Sequence, residues 1–184
     1  GMILSILFSI TFHKMKTYII KKGSSKSRPV INIFFVRHNE LKVTFRLGES
    51  FLQLYDMSNN STHKIIGFSD LFGRNSVRLG FRTRKDLLAK RSFASVAYLH
   101  NMGQIFYPRI NNFFLEVGVF YVARIYKHHV TGCYSIDIAV NEPHATLYSI
   151  HTNVKIRGPF KRMQAVWMEP SREDLNIDID YELL

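Results

Sequence analysis

Apolar and polar side chains alternate at every second residue through much of this 184-residue chain. Over residues 41–47, Leu, Val, Phe and Leu alternate with Lys, Thr and Arg, and residues 134–140 repeat the pattern. Because successive side chains of a strand point to opposite faces, this period predicts β-strands with one buried and one solvated face. Such strands must hide their apolar faces against one another, which favours two stacked sheets.

The same pattern, punctuated by Gly, Asn, Pro and Ser, predicts about a dozen strands. Besides the two above and one or two before residue 22, the predicted strands are 30–36, 50–55, 75–82, 93–99, 104–107, 117–126, 145–150, 163–168 and 175–183. Residues 117–126 are apolar at both parities, which is typical of a central strand. The predicted fold is an all-β, two-sheet antiparallel β-sandwich of jelly-roll or concanavalin-like type.

Three short polar segments are predicted to be hairpin loops. They are "RHNE" (37–40), "HNMG" (100–103) and "KHHVTG" (127–132). In the second, Gly103 stands where a three-residue hairpin loop requires a left-handed residue. Residues 83–91 are the only helix-like stretch, and without a good cap they are expected to form a loop or a single turn.

Length and composition predict one domain over residues 1–184. With 46% hydrophobic and 14% aromatic residues, the chain can bury a sizeable core. The apolar run at 2–12 lacks a basic flank and a small-residue cleavage site and is too short to cross a bilayer, so we interpret it as a strand and expect a cytoplasmic protein. Gly1 is interpreted as a residue left from cloning, and either Met2 or Met15 as the natural start.

The chain is strongly basic, with a formal net charge of +11. This charge permits binding to nucleic acid or to anionic glycans, but Lys and Arg are scattered along the chain, which is more typical of solvated strand faces than of a nucleic-acid site. The single Cys133 excludes an intrachain disulfide and cysteine-rich zinc sites. None of the eight histidines has a recognised metal-ligand spacing, so neither a metal nor a cofactor is expected.

Four segments resemble a group of uncharacterised bacterial proteins. They are "MKTYIIKKGSSKSR" (15–28), "HKIIGFSDLFGRNSVRLGFR" (63–82), "AYLHNMGQ" (97–104) and "LNIDIDYEL" (175–183). The resemblance covers almost everything after Met15 and implies a concanavalin-like β-sandwich without implying an activity. Where members of that group carry histidines and a tryptophan, this chain has Gly73, Arg74 and Phe81.

The loop that opens the second of these segments is the main candidate binding site. Its hydrogen-bonding groups suit a sugar or an anion, and Phe68 or Phe72 could stack on a ring. The residues assigned to ligand binding are Phe68, Ser69, Asp70, Arg74, Asn75 and Trp167. The alternative is that the polar residues of the loop satisfy local backbone groups, that the phenylalanines close the core, and that Trp167 belongs to the core with Met163 and Ala165.

Three carboxylates near the C-terminus form a second candidate site. Asp178, Asp180 and Glu182 alternate with apolar residues and therefore share one strand face. Sandwich-fold glycoside hydrolases use paired carboxylates in this way. The same pattern suits a solvated face that pairs across strands with Arg or Lys.

The leading hypothesis is a non-catalytic binding module for carbohydrate. One alternative is a β-sandwich glycoside hydrolase that uses the C-terminal carboxylates. Another is a basic interaction protein that binds nucleic acid or an assembly partner. Neither a reaction nor an oligomeric state follows from these patterns.

Overall fold

The computed structural model describes residues 15–56, 61–83 and 92–184. The predicted strand within 2–12 and nearly all of the helix-like stretch at 83–91 lie outside these residues. The described strands are β1 (Lys16–Ile20), β2 (Ser27–Arg28), β3 (Asn32–Val36), β4 (Glu40–Leu47), β5 (Thr62–Ser69), β6 (Ser76–Thr83), β7 (Ser92–Asn101), β8 (Gln104–Phe106), β9 (Arg109–Glu116), β10 (Phe120–Lys127), β11 (Tyr134–Val140), β12 (Tyr148–His151), β13 (Lys161–Trp167) and β14 (Leu175–Leu183).

The strands form two antiparallel sheets of 7 strands each, which confirms the predicted fold class. The first sheet has the order β12-β11-β10-β4-β14-β1-β2. The second has the order β3-β13-β5-β6-β7-β8, and β9 also pairs with β7. Strand β10, whose sequence is apolar at both parities, lies inside the first sheet between β11 and β4, as predicted.

A continuous core lies between the sheets. Leu41 and Ile177 of the first sheet and Val77 of the second are fully or almost fully buried within it. The polar residues that alternate with them point to the two outer faces, as period two requires. The sandwich therefore presents two separate outer surfaces, one for each sheet.

The chain departs from the predicted pattern at one helix, at one loop and at three strands. Residues 49–56 form a 3₁₀ helix instead of a strand, because the buried Phe51 and Leu54 are spaced by one 3₁₀ turn. "RHNE" is not a hairpin loop, since β3 pairs with β13 in the second sheet while β4 belongs to the first. Strands β2, β5 and β9 were not predicted, and the last residues of β5 lie in the segment that was predicted to be a loop.

The other two predicted hairpins are present, although the first has a loop of two residues instead of the predicted three. β7 and β8 pair directly around residues 102–103, and Gly103 has a φ of 85°. β10 and β11 pair around 128–133, where Gly132 has a φ of 72°. Both glycines adopt the left-handed conformation that other residues rarely adopt.

A buried lysine supports the crossing from β3 to β4. Lys161 is 2% exposed, and its Nζ donates to the carbonyl oxygens of Arg37 and His38 at 3.4 and 2.6 Å and to Asn39 Oδ1 at 3.1 Å. Burial, and then the nearby Lys127, lower the pKa of its ammonium group. This one side chain satisfies three oxygens of the segment that joins the two sheets.

We expect Lys161→Met to lower the free energy of unfolding by about 2 kcal/mol, because carbonyl groups beside the core lose a charged donor. Urea unfolding monitored by circular dichroism measures the change. The matched control is Lys155→Met at an exposed position, which should change stability by less than about 0.5 kcal/mol. Equal midpoints for the two variants would show that the buried ammonium does not support the crossing.

Candidate functional site

A β-bulge brings two residues to the outer face of the second sheet. Between Lys64 and Ile66 the pairing of β5 with β6 shifts by one residue, so that Lys64 faces Gly80 and Ile66 faces Leu79. Opposite the bulge on β13, Val166 has a φ of 42°, which a β-branched residue rarely adopts. Bulges redirect side chains and occur often beside binding sites. This one turns Lys64 and its partner on β13, Trp167, away from the core.

The redirected lysine lies between two aromatic rings. Lys64 Nζ is 4.2 Å from the ring centroid of Tyr98 and 4.0 Å from that of Trp167. Burial lowers the pKa of Lys64 to about 8, Arg78 also lowers it, and Glu169 opposes the shift. The aromatic faces hold the ammonium group by cation–π contacts and limit its access to water.

Arg78 lies beside this cluster and is only 9% exposed. Its cross-strand neighbours are Gly67 on β5 and Tyr98 on β7. A Cβ atom at Gly67 would come within 2.5 Å of the Arg78 Cα and 2.8 Å of its Cγ, so the glycine provides the space for the arginine side chain. The sequence thus places a long cation where the neighbouring strand has no side chain.

The guanidinium group of Arg78 is incompletely satisfied. Its Nε is buried without a hydrogen-bond partner among the described residues. Its Nη1 lies 3.4 Å from Gln164 Oε1, a long contact. With the amide group turned over, the same oxygen accepts from Arg162 Nε and Nη2 at 3.3 and 3.0 Å. Since one amide oxygen cannot serve both arginines well, the pair retains unused donors.

Burial lowers the pKa of Arg78 to about 10, with Tyr98 opposing the shift and Arg162 adding to it. The group remains charged at neutral pH and is desolvated without an ion pair among the described residues. A buried cation of this kind is costly unless a partner compensates it. It opens onto a cleft of about 80 Å³, which Lys26, Asn32, Arg162, Gln164 and Trp167 also line.

His100 extends the polar face along β7. Its Nδ1 is 3.1 Å from the carbonyl oxygen of Gly73, which can only accept, so Nδ1 carries the proton in this contact. Its ring centroid lies 5.3 Å from that of Tyr98. Burial lowers the pKa of His100, and the Gly73 hydrogen bond only partly opposes the shift. The neutral ring therefore presents Nε2 as an acceptor.

A second unsatisfied atom lies opposite His100. The Oγ of Ser76, which pairs across strands with His100, is buried with no partner among the described residues. Ser76 and Arg78 lie on the same face of β6 because they are two residues apart. Two neighbouring outward positions therefore carry buried polar atoms that find no partner in the ranges the structure describes, which is the pattern expected where a ligand completes the site.

The predicted binding loop is mainly a structural turn. Asp70 Oδ1 accepts from the Arg74 backbone at 2.9 Å, and Asp70 Oδ2 accepts from the backbone and side-chain nitrogens of Asn75, each at 3.0 Å. Asn75 Oδ1 in turn accepts from the Met102 backbone at 3.1 Å. These contacts match the local-satisfaction alternative, and the loop contributes to the outer face by holding His100 through Gly73.

The other residues assigned to ligand binding occupy different environments. Phe68 is fully buried with its ring 5.8 Å from that of Tyr134, so it offers no face to a sugar. Phe72, which the sequence offered as a second stacking ring, is 89% exposed at the loop tip. Ser69 is buried and donates to the Asp70 carbonyl oxygen at 3.0 Å. Trp167 is half-buried beside Lys64, so the core role suggested by its spacing from Met163 and Ala165 is wrong.

The C-terminal carboxylates lie on the opposite surface of the molecule. They belong to β14, inside the first sheet, and face Arg46, Thr44 and Lys42 of β4. Asp178 Oδ2 accepts from Arg46 Nη2 at 2.6 Å and Asp178 Oδ1 from Thr17 Oγ1 at 2.6 Å. With both oxygens engaged, Asp178 fits the cross-strand pairing interpretation. Asp180 and Glu182 share its face but not the cleft of the second sheet.

Of the residues that the sequence assigned to ligand binding, Trp167 lines this cleft, and the residues around it were not assigned. Those residues are Lys64, Arg78, Tyr98, His100, Arg162 and Gln164. A usable signal was present, since Gly67 and Gly80 interrupt strands β5 and β6 and a glycine inside a strand indicates a bulge or a close approach. In the described residues no group of His, Cys, Asp and Glu could hold a metal, and no helix is long and apolar enough to span a membrane.

Comparison with known proteins supports the fold of the chain but does not assign the chain to a family. No protein-family model and no curated protein matches the chain. A protein of unknown function from Saccharomyces cerevisiae superposes with a TM-score of 0.57 at 10% identity, covering 95% of this chain and 91% of that one. Alginate lyase AlyC3 superposes with a TM-score of 0.55 at 7% identity, covering 96% and 78%. Basic winged bean lectin with Tn-antigen gives 0.44 at 12% identity, covering 96% and 95%. The first two likenesses agree with the two-sheet antiparallel β-sandwich described above, at the level of the fold alone.

Proposed function

We propose that the protein binds an acidic carbohydrate at the outer face of the second sheet, with a sugar carboxylate on Arg78. The observation that carries this proposal is the buried Arg78 guanidinium group, which opens onto the cleft and whose Nε has no partner within the described part of the chain. A planar guanidinium group matches a carboxylate through two parallel hydrogen bonds. The ligand would supply the missing counter-charge.

The surroundings of Arg78 support a sugar. Trp167 is half-buried, so part of its ring is available to a pyranose face beside the bound carboxylate. Asn32 and Gln164 line the same cleft and offer amide groups to hydroxyls. Lys26 and Arg162 add positive charge there. This mixture of one aromatic face, amides and cations suits a uronate better than a neutral sugar.

The fold agrees with this ligand class. A solved alginate lyase shares the fold over most of this chain, which supports carbohydrate as the ligand at the level of the fold alone. The sequence suggested a carbohydrate-binding module without specifying the sugar. The buried Arg78 favours a carbohydrate that carries a carboxylate. The widely scattered surface charge adds nonspecific attraction, which salt would screen.

Isothermal titration of the intact protein with polygalacturonate, alginate and hyaluronate tests the proposal. We expect at least one of them to bind, and its methyl-esterified form to bind at least about thirtyfold more weakly, because esterification removes the charge that pairs with Arg78. Quenching of Trp167, the single tryptophan, should accompany binding. No binding to any of the three, or equal affinity for the ester, would overturn the proposal.

A further inference from the structure

We propose that this site cleaves its polyuronate ligand by β-elimination, with His100 as the base, Tyr98 as the acid and Arg78 holding the carboxylate. The inference rests on the proposed function, since it requires a uronate bound at the same face. It adds a reaction to the binding site proposed above.

The three residues are placed together by the sheet. Arg78 and Tyr98 are cross-strand partners on β6 and β7, and His100 follows Tyr98 on the same outward face. The Tyr98 and His100 rings are 5.3 Å apart between centroids, close enough for both to reach one sugar ring. The contact of Lys64 Nζ with the Tyr98 ring places another positive charge beside them.

The hydrogen bonds of His100 suit it to act as a base. Because Nδ1 donates to the Gly73 carbonyl oxygen, the lone pair of the neutral ring lies on Nε2. The hydrogen bond of the His100 ring among the described residues is made by Nδ1, so Nε2 remains available to a substrate. Burial affects His100 and Tyr98 in opposite directions, because it lowers the pKa of His100 and raises that of Tyr98. The imidazole is thus kept neutral, with Nε2 unprotonated, and the phenol is kept protonated, which is the division that acid and base require.

The reaction balances without a co-reactant. Nε2 of His100 takes the proton from C5 of the uronate, which the paired carboxylate makes more acidic. The electron pair of that C–H bond forms the C4–C5 double bond, and the C4–O bond to the neighbouring sugar breaks. The departing oxygen takes the phenolic proton of Tyr98. Proton return from His100 to Tyr98 through solvent restores both groups, and neither water nor an oxidant is consumed.

Elimination fits this face better than hydrolysis. Glycoside hydrolysis generally uses two carboxylates on either side of the bond. Among the described residues, two carboxylates act on this cluster, since Glu169 raises the pKa of Lys64 and Asp70 raises that of His100. Both oxygens of Asp70 already accept hydrogen bonds within the 70–75 turn, so this carboxylate is engaged in holding the loop. Neutralising the substrate carboxylate is the main requirement for removing the adjacent proton, and Arg78 supplies that charge.

The test is to incubate the full chain with polygalacturonate, alginate and hyaluronate while following ultraviolet absorbance and reducing ends. We expect both to rise together, because each elimination creates one conjugated double bond and one reducing end. Tyr98→Phe keeps the ring that contacts Lys64 and His100 but lacks the hydroxyl group. His100→Asn keeps a donor for the Gly73 carbonyl oxygen but lacks Nε2. Each change should lower the rate at least about a hundredfold.

Titration of the same variants separates this inference from the proposed function. Both variants should retain their polyuronate affinity within about threefold, since the carboxylate pairs with Arg78. Binding without new absorbance, or reducing ends without absorbance, would overturn the elimination while leaving the binding proposal in place. If both variants cleave as fast as the wild type, Tyr98 is not the acid and His100 is not the base. Absence of binding by the wild-type protein would overturn both proposals.

Discussion

Arg78→Met is expected to stabilise the fold by about 1 to 3 kcal/mol while weakening polyuronate binding at least about thirtyfold. Methionine fills much of the space beside Gly67 and removes a desolvated charge that has no ion pair among the described residues. Gln164 can then turn its oxygen fully to Arg162, so the change leaves no acceptor unsatisfied. Urea unfolding and calorimetric titration measure the two effects on the same preparation.

The matched control is Arg46→Met on the outer face of the first sheet. It removes the same charge, but from a half-exposed ion pair with Asp178, which contributes less than about 1 kcal/mol. We expect this variant to lose a little stability and to keep its affinity within about threefold. If Arg78→Met instead unfolds at lower urea, Arg78 has a structural role. If it binds as well as the control does, the ligand lies elsewhere.

The alternation of apolar and polar residues was sufficient to predict the two sheets of this protein but not its candidate site. The rule holds wherever a strand is regular, as at Leu41 and Ile177, because burial of one face enforces the alternation. At the bulge beside Ile65 one extra residue reverses the parity, and everything beyond it moves to the other face. That reversal is why Trp167 was expected in line with Ala165.

The missed site residues share this explanation. Arg78 fits a solvated position of an alternating strand, and only the contact with Gly67 across the sheet shows that it is buried. Tyr98 and His100 likewise occupy ordinary outward positions on β7. Pairing of the consecutive strands β6 and β7 brings them together, and a single sequence carries no record of that register. The predicted loop differed, because Asp and Asn between glycines indicate a turn by local chemistry alone.

The Asp178 carboxylate illustrates the opposite case. Its spacing correctly predicted a shared strand face with Asp180 and Glu182, and its pairing with Arg46 is one of the two alternatives that the pattern allowed. Nothing in the spacing could choose between a pair of catalytic carboxylates and a cross-strand ion pair. The choice depends on which strand lies alongside, and β4 supplies cations at two of the three facing positions.

His63 is expected to make the fold acid-sensitive. It is 1% exposed, its ring stacks on Phe81 at 5.1 Å, and its Nδ1 accepts from the Glu169 backbone at 3.2 Å. Burial, and then Lys64, lower the pKa of His63 from 6.5 to about 4. Between these values the unfolded chain binds a proton that the folded protein does not. Stability should therefore fall by about 3 kcal/mol as the pH decreases from 6.5 to 4 and level off below.

His63→Asn isolates this effect, since its side-chain oxygen can still accept from the Glu169 backbone but the group does not titrate. Urea unfolding at a series of pH values measures the free energy of unfolding of each protein. Between pH 6.5 and 4 we expect His63→Asn to lose about 3 kcal/mol less of it than the wild type does. His129→Asn, at an exposed loop position, should leave the wild-type slope unchanged. If all three proteins lose stability in parallel, carboxylates such as Asp174, whose pKa is lowered by hydrogen bonds from Lys22 and Lys21, account for the acid sensitivity instead.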